Sequence, residues 1–236
     1  MRVIAGRFRS RLLEAPPGPA TRPTSDRLRE TLFNVLAPRI EGARFLDLYA
    51  GSGAVGIEAL SRGAAEAMFV ERSAAALAAL KANLEKLGIR SGVRVRPGTV
   101  SAFLNAPAGR HIPQKRSADR TPGRSMEQFD VVFLDPPYEA LGQYEGVLSV
   151  LGGVEFPSWT QSEDSAGGRG PASERAASPC RILADDGIAV AEHRRKTQLR
   201  QRYGDLERIR VLEQGDATLS FFQRAGTALP SILETA

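Results

Sequence analysis

The feature that most constrains this chain is a short apolar run, Phe45-Leu46-Asp47-Leu48-Tyr49, that passes directly into Ala50-Gly51-Ser52-Gly53-Ala54-Val55-Gly56. Gly51, Gly53 and Gly56 satisfy the spacing G-x-G-x-x-G. A glycine turn between a strand and a helix lets backbone approach a ligand and leaves the helix's first N–H groups free to donate. Glu71 ends the next apolar run, 20 residues after Gly51. A carboxylate there is placed to accept hydrogen bonds from ribose hydroxyls. Strand, turn, helix and acid in that order point to a ligand that contains a nucleoside.

The same alternation continues along the chain. Residues 43–49, 65–71, 93–97, 129–135 and 187–193 read as strands. Helical spacing falls between them: 54–64, ended by Gly63; 73–88, capped by Ser73 and closed by Gly88; a short helix at 99–106; and 144–153. Two late runs, 206–214 and 217–225, flank Gly215-Asp216 and predict a closing antiparallel hairpin. The sum is an α/β fold with a mostly parallel, seven-stranded sheet and helices on both faces. Ahead of it, residues 1–23 read as a short hairpin followed by an extended, proline-rich segment. Residues 24–37 read as a helix that Ser25 or Asp26 caps and Pro38 ends. The expected organisation is an N-terminal extension at 1–40, the main domain at 41–225 and a tail at 226–236. Residues 107–128 and 155–180 are polar, rich in Pro, Gly, Ser and Arg, and read as flexible surface insertions.

Cysteine and histidine usage narrows the chemistry. One cysteine, Cys180, excludes an internal disulfide framework, and with two histidines, His111 and His193, it argues against a metal site. No apolar run is long enough to span a bilayer. Arg7, Arg9 and Arg11 interrupt the N-terminal segment, so it lacks a signal peptide's core, and a cytoplasmic protein is expected. Of 32 basic residues, 28 are Arg. The net charge of +5 is carried by residues 1–40, and the rest of the chain is neutral. Arg binds phosphate in a bidentate fork, which allows a nucleic-acid partner, and Arg2, Arg7, Arg9, Arg11 and Arg22, with Arg27 and Thr24 in the linking segment, are the candidate residues for binding RNA if the partner is one. A solvated hairpin face is the plainer alternative. His193, at a strand end, fits a structural role.

Two acids carry the chemistry. Asp47 lies four residues before Gly51. A dinucleotide-binding strand is normally apolar there, because its loop must take pyrophosphate. An acid favours a cation, so Asp47 points away from NAD(P) and towards S-adenosylmethionine, which carries an ammonium and a sulfonium. The other acid, in Asp135-Pro136-Pro137-Tyr138, follows the apolar run 129–134. In an open α/β sheet, that strand end is where ligands bind. Two prolines remove two N–H donors and leave acceptors, the Asp135 carboxylate and the Pro136 carbonyl, beside an aromatic face. Such acceptors hold the two N–H bonds of an exocyclic amino group, aim its lone pair and take up charge as it develops. Tyr138 can stack the base.

At these residues the chain resembles the class I S-adenosylmethionine-dependent methyltransferases, which have a Rossmann-like fold. More narrowly it resembles the RsmD-like bacterial 16S rRNA (guanine-N2) methyltransferases, through residues 2–13, 22–36, 46–64, 69–71, 129–138 and 191–193. The resemblance implies methylation of a guanine N2 in 16S rRNA, within the assembled or assembling small subunit, by a monomer that needs no metal. It places the methionine end of S-adenosylmethionine at Asp47 and at Gly51, Ser52 and Gly53, and the ribose at Glu71, with Tyr49, Ala50 and Arg72 as further cofactor-binding candidates. The guanine falls at Asp135, Pro136, Pro137 and Tyr138. Where relatives often carry Asp or Asn for the adenine amino group, this chain has Thr99, so adenine recognition falls to the backbone of Thr99 and Val100. Three other functions share parts of this pattern: methylation of another base, such as DNA adenine N6; an NAD(P)-linked oxidoreductase; and a non-enzymatic RNA-binding assembly factor.

Overall fold

In the computed structural model, which describes residues 1–16, 24–106, 128–137, 140–154 and 182–227, eight strands form one sheet. Five are parallel: β1 (Arg44–Asp47), β2 (Glu66–Glu71), β3 (Val93–Pro97), β4 (Phe129–Leu134) and β5 (Leu183–Arg194). The other three, β6 (Arg202–Tyr203), β7 (Leu206–Gln214) and β8 (Ala217–Arg224), are antiparallel. Their order is β3-β2-β1-β4-β5-β8-β7-β6. The chain lays down β1, β2 and β3 outward, then returns to set β4 on the other side of β1. This reversal opens a crevice between the C-terminal ends of β1 and β4.

The sheet has one strand more than the seven expected, the two-residue β6, too short to show any sequence pattern. β5 also starts earlier than residue 187. Asp185-Asp186-Gly187 has the composition of a turn, yet it is absorbed as a register shift: Phe129 pairs with Leu183, and Val131 with Ile188.

Helices α1 (Asp26–Ile40), α2 (Ala54–Ser61) and α3 (Ala74–Lys86) cover one face of the sheet, and α4 (Val100–Leu104) and α5 (Leu141–Leu151) cover the other. The side-chain hydroxyls of Ser25, Ser73 and Thr99 cap α1, α3 and α4 by accepting from Leu28, Ala76 and Ala102 N–H. α1 does not stop before Pro38 but continues through it to Ile40. Proline in the last turn costs only the bond to the Asn34 carbonyl, on an exposed residue, while Ile40 is buried against the core.

Residues 1–13 fold back on themselves through a bridge between Arg2 and Leu12. This hairpin has no core of its own. It inserts Val3 and Leu13 into the core that α1 and α2 share. Its backbone is fastened by side chains from the main domain. The buried Glu58 carboxylate of α2 accepts from Ile4 N–H (2.7 Å) and Ala5 N–H (3.0 Å) and pairs with Arg62 (2.7 Å). Ser61 accepts from Phe8 N–H at 2.9 Å. Asn83 of α3 accepts from Glu14 N–H and donates to the Glu14 and Ser52 carbonyls.

Breaking a buried ion pair by removing one partner costs about 3–5 kcal/mol. Glu58→Ala is therefore expected to lower unfolding free energy on that scale and to release the hairpin. Limited trypsin digestion should then cut after Arg7, Arg9 and Arg11 much faster than in the parent. An unchanged cleavage rate would show that Glu58 does not hold the segment.

Candidate active site

The glycine loop leaves β1 at the crevice. Gly51 and Gly53 have φ of 54° and 80°, the left-handed region that side chains other than glycine rarely adopt. A Cβ on Gly51 would meet nothing within 4 Å, so this part of the loop faces open space. At Gly56 a Cβ would lie 2.3 Å from the Phe69 ring, so only glycine lets α2 lie this close to β2. Gly51 N–H donates to Glu71 Oε2 at 2.8 Å, and Ser73 N–H to Oε1 at 2.7 Å. Glu71 thus ties the loop to the end of β2, is half-buried, and keeps lone pairs for a diol. Arg72 beside it is exposed. Ala50 N–H donates to the Val70 carbonyl at 3.1 Å, and the Ser52 hydroxyl to the Met1 sulfur at 3.8 Å, so the hairpin reaches the loop.

Asp47 is 1% exposed. Burial pushes its carboxyl up to about 7, against hydrogen bonds from the Gly56 and Tyr49 backbone N–H groups, with the charge on Glu71 adding to the rise. A carboxylate so placed serves the loop's own backbone and also favours a cation on the open side. Tyr49 is half-buried and packs against the far core. Thr99 uses its hydroxyl to cap α4, which leaves the backbone of Thr99 and Val100 at the end of β3.

Across the crevice, β4 delivers Asp135, Pro136 and Pro137; Tyr138 and Arg22 lie outside the described residues. The register Asp47↔Phe133↔Val190 and the alternation of side chains put Asp135 on the same sheet face as Asp47. Asp135 makes no hydrogen bond among the described residues. Desolvation holds its carboxyl well above the usual carboxylate range, and the charges of Glu192 and Asp47 add to this. Pro136 is buried and Pro137 exposed. This is a carboxyl held at a strand end with no donor provided for it among the described residues.

Glu192 is a site residue whose role the sequence does not announce. It is 2% exposed, and its carboxylate accepts from the Thr24 hydroxyl at 2.7 Å. Thr24, one of the candidate RNA-binding residues, is thus joined to the active-site edge. His193 is buried and both ring nitrogens are engaged, with the Arg194 carbonyl and the Ser220 hydroxyl, which suits a structural role.

Arg2, Arg7, Arg9, Arg11 and Arg27 are exposed. A groove of about 570 Å³ runs between the hairpin and α1, lined by Arg2, Arg9, Arg27, Asn34 and Arg62 among others. Arg2 leans on Asp26 (3.5 Å), and Arg7 lies over the Phe8 ring. Among the described residues no cluster of His, Cys, Asp or Glu could hold a metal ion, and no helix is long and apolar enough to cross a membrane.

Residues 1–155 match a protein-family model described as Conserved hypothetical protein 95. YlbH of Bacillus subtilis is 31% identical over 226 residues, 96% of this chain and all of that one. Ribosomal RNA small subunit methyltransferase D of Escherichia coli K12 is 39% identical over 163 residues, covering 69% of this chain and 71% of its own length. The solved structure of yhhF from Escherichia coli superposes with a TM-score of 0.68 at 29% identity, over 95% of this chain and 97% of that one.

The buried, ionised Asp47 opposes folding increasingly as pH rises from the free carboxylate range to about 7, because the folded state holds the proton more tightly than the unfolded chain. Asp47→Asn should therefore raise the melting temperature of the ligand-free protein at pH 8 by several degrees, and the gain should shrink towards pH 4 in a thermal melt series. The same variant should bind S-adenosylmethionine more weakly, by calorimetry at pH 8.

Proposed function

This chain belongs to the Conserved hypothetical protein 95 family, here a methyltransferase, and from that premise we propose that it transfers a methyl group from S-adenosylmethionine to the exocyclic N2 amino group of a guanine in 16S rRNA. The observation that carries this is the Asp135 carboxyl, desolvated and without a hydrogen bond among the described residues, facing the crevice opposite a glycine loop. An amino nitrogen conjugated with a purine is a poor nucleophile, and acceptors alone improve it.

The donor set fits the cofactor. Asp47 faces a cation, Gly51 leaves room for close approach, and Glu71 accepts from a ribose. Bound there, S-adenosylmethionine supplies an electrophilic methyl on sulfur. Asp135 and the Pro136 carbonyl take the two amino hydrogens and turn the lone pair towards the methyl. Attack of N2 on that methyl would release S-adenosylhomocysteine, and the Asp135 carboxylate would take up the positive charge left on N2 and then its proton. Pro137 stiffens the turn, and Tyr138 stacks the base. No step requires a metal.

The rRNA is gripped through phosphate contacts by the exposed Arg2, Arg7, Arg9, Arg11 and Arg27, of which Arg2, Arg9 and Arg27 line the groove, and Arg22 is a further candidate from the sequence. The substrate is the assembled or assembling small subunit, and the site of action is the cytoplasm. Residues 1–40 act as the RNA-binding extension of a methyltransferase domain at 41–225.

Methylation of purified unmodified 30S particles, compared with naked 16S rRNA, and mapping of the modified base test the proposal. Label on adenine, or none on either substrate, would overturn it. Asp135→Ala should lower turnover by roughly 10² or more, the scale for losing one such acceptor. Replacing Arg2, Arg9 and Arg27 by Ala should weaken binding to small subunits and flatten its dependence on salt by about one unit of slope per lost phosphate contact.

A further inference from the structure

The proposed function leaves one hydrogen of the substrate edge unserved. Guanine presents N1–H next to its N2 amino group. Asp135 and the Pro136 carbonyl account for the amino hydrogens, and a buried N1–H without an acceptor is disfavoured. The sheet places a second acceptor beside the first. Leu134 pairs with Ala191, so one residue further along each strand Asp135 stands level with Glu192. Alternation puts both side chains on the face that also carries Asp47, Phe133 and Val190.

Glu192 is held from both sides of the sheet. On the site face its carboxylate accepts from Thr24 at 2.7 Å. On the other face the buried Tyr144 hydroxyl donates to its backbone carbonyl at 2.8 Å, which fixes the strand at that residue. The fully buried Arg29 guanidinium is close enough to attract it. Its place beside Asp135 and its carboxylate oxygens suit an N–H donor.

We propose that Glu192 accepts the N1–H of the target guanine and thereby selects guanine over bases that carry a lone pair at N1. This rests on the guanine-N2 reading above and adds the group that makes the site specific. The Asp-Pro-Pro-Tyr turn by itself grips any exocyclic amino group, adenine N6 included. Adenine would direct its N1 lone pair at a carboxylate. A site built around one hydrogen bond to a substrate N–H rejects the analogue that lacks it, by roughly 10²-fold or more.

The test uses small-subunit RNA in which the mapped target guanine is replaced by 2-aminopurine. That base keeps the 2-amino group but has a lone pair at N1. The parent protein should methylate guanine at least roughly 10²-fold better in kcat/KM. Glu192→Gln can turn either its carbonyl or its N–H towards N1, so the preference should fall to within about tenfold, with slower guanine methylation and faster 2-aminopurine methylation. The O6 atom that 2-aminopurine also lacks affects parent and variant alike. Thermal melting and S-adenosylhomocysteine binding of Glu192→Gln check that it folds, and the parent's own preference needs no variant. Equal rates on the two bases in the parent, or a preference unchanged or lowered in step on both substrates in the variant, would overturn the role of Glu192. If the parent puts no methyl on guanine N2 at all, it is the underlying function that fails.

Discussion

The register in which β4 lies between β1 and β5 fixes everything at the crevice. Phe133 pairs with Asp47 on one side and with Val190 on the other. A slip of one residue would turn every side chain of β4 to the opposite face, sending Phe133 out of its core and Asp135 away from the glycine loop. The apolar residues of the strand therefore set the position of the polar one. Phe45, Val131, Phe133 and Val190 pack in one cluster and Leu46, Val132, Leu134 and Ala191 in another, so neither face tolerates a slip. The acids at the strand ends are carried into place by residues that never touch a ligand.

That placement has an electrostatic cost. Asp47, Asp135 and Glu192 share one face near one edge, and burial disfavours the anions of Asp47 and Asp135, with the neighbouring acids adding to the cost. The loop N–H groups on Asp47 and the Thr24 hydroxyl on Glu192 offset part of it. What remains is a site of negative potential that binding partners relieve by bringing a cation and N–H donors. The same potential disfavours pyrophosphate, and it accounts for a glycine loop of dinucleotide-binding spacing in a family of methyltransferases.

Much of this was legible in the residues. The β1–loop–α2 unit, the Ser73 cap of α3 and the strand leading to Asp135 all follow from local patterns of period and turn chemistry. The parallel character of the sheet follows from the alternation of strands and helices, whereas its strand order does not. The misses share a cause, which is that distant partners decide them. α1 passes through Pro38 because Ile40 has a core to enter, and β5 begins before Gly187 because β4 is there to pair with. Glu192 lies in the matched segment 191–193, but nothing local assigns it a role, and only register reveals its neighbour. Glu58 and Asn83 look like ordinary helix surface until the hairpin arrives to use them.

Arg29 gives the hairpin a different character from a rigid brace. It is fully buried beneath the hairpin, and its Nη2 donates to the Arg2 carbonyl and to Asp26. Its Nε and Nη1 have no hydrogen-bond partner among the described residues. Donors left dry in this way raise the free energy of the closed form, and water would reach them once residues 1–13 lift away. The hydration recovered on lifting works against the Glu58 clamp, so the flap can detach in a local opening that leaves the sheet intact. The segment is therefore held by a latch that water helps to release.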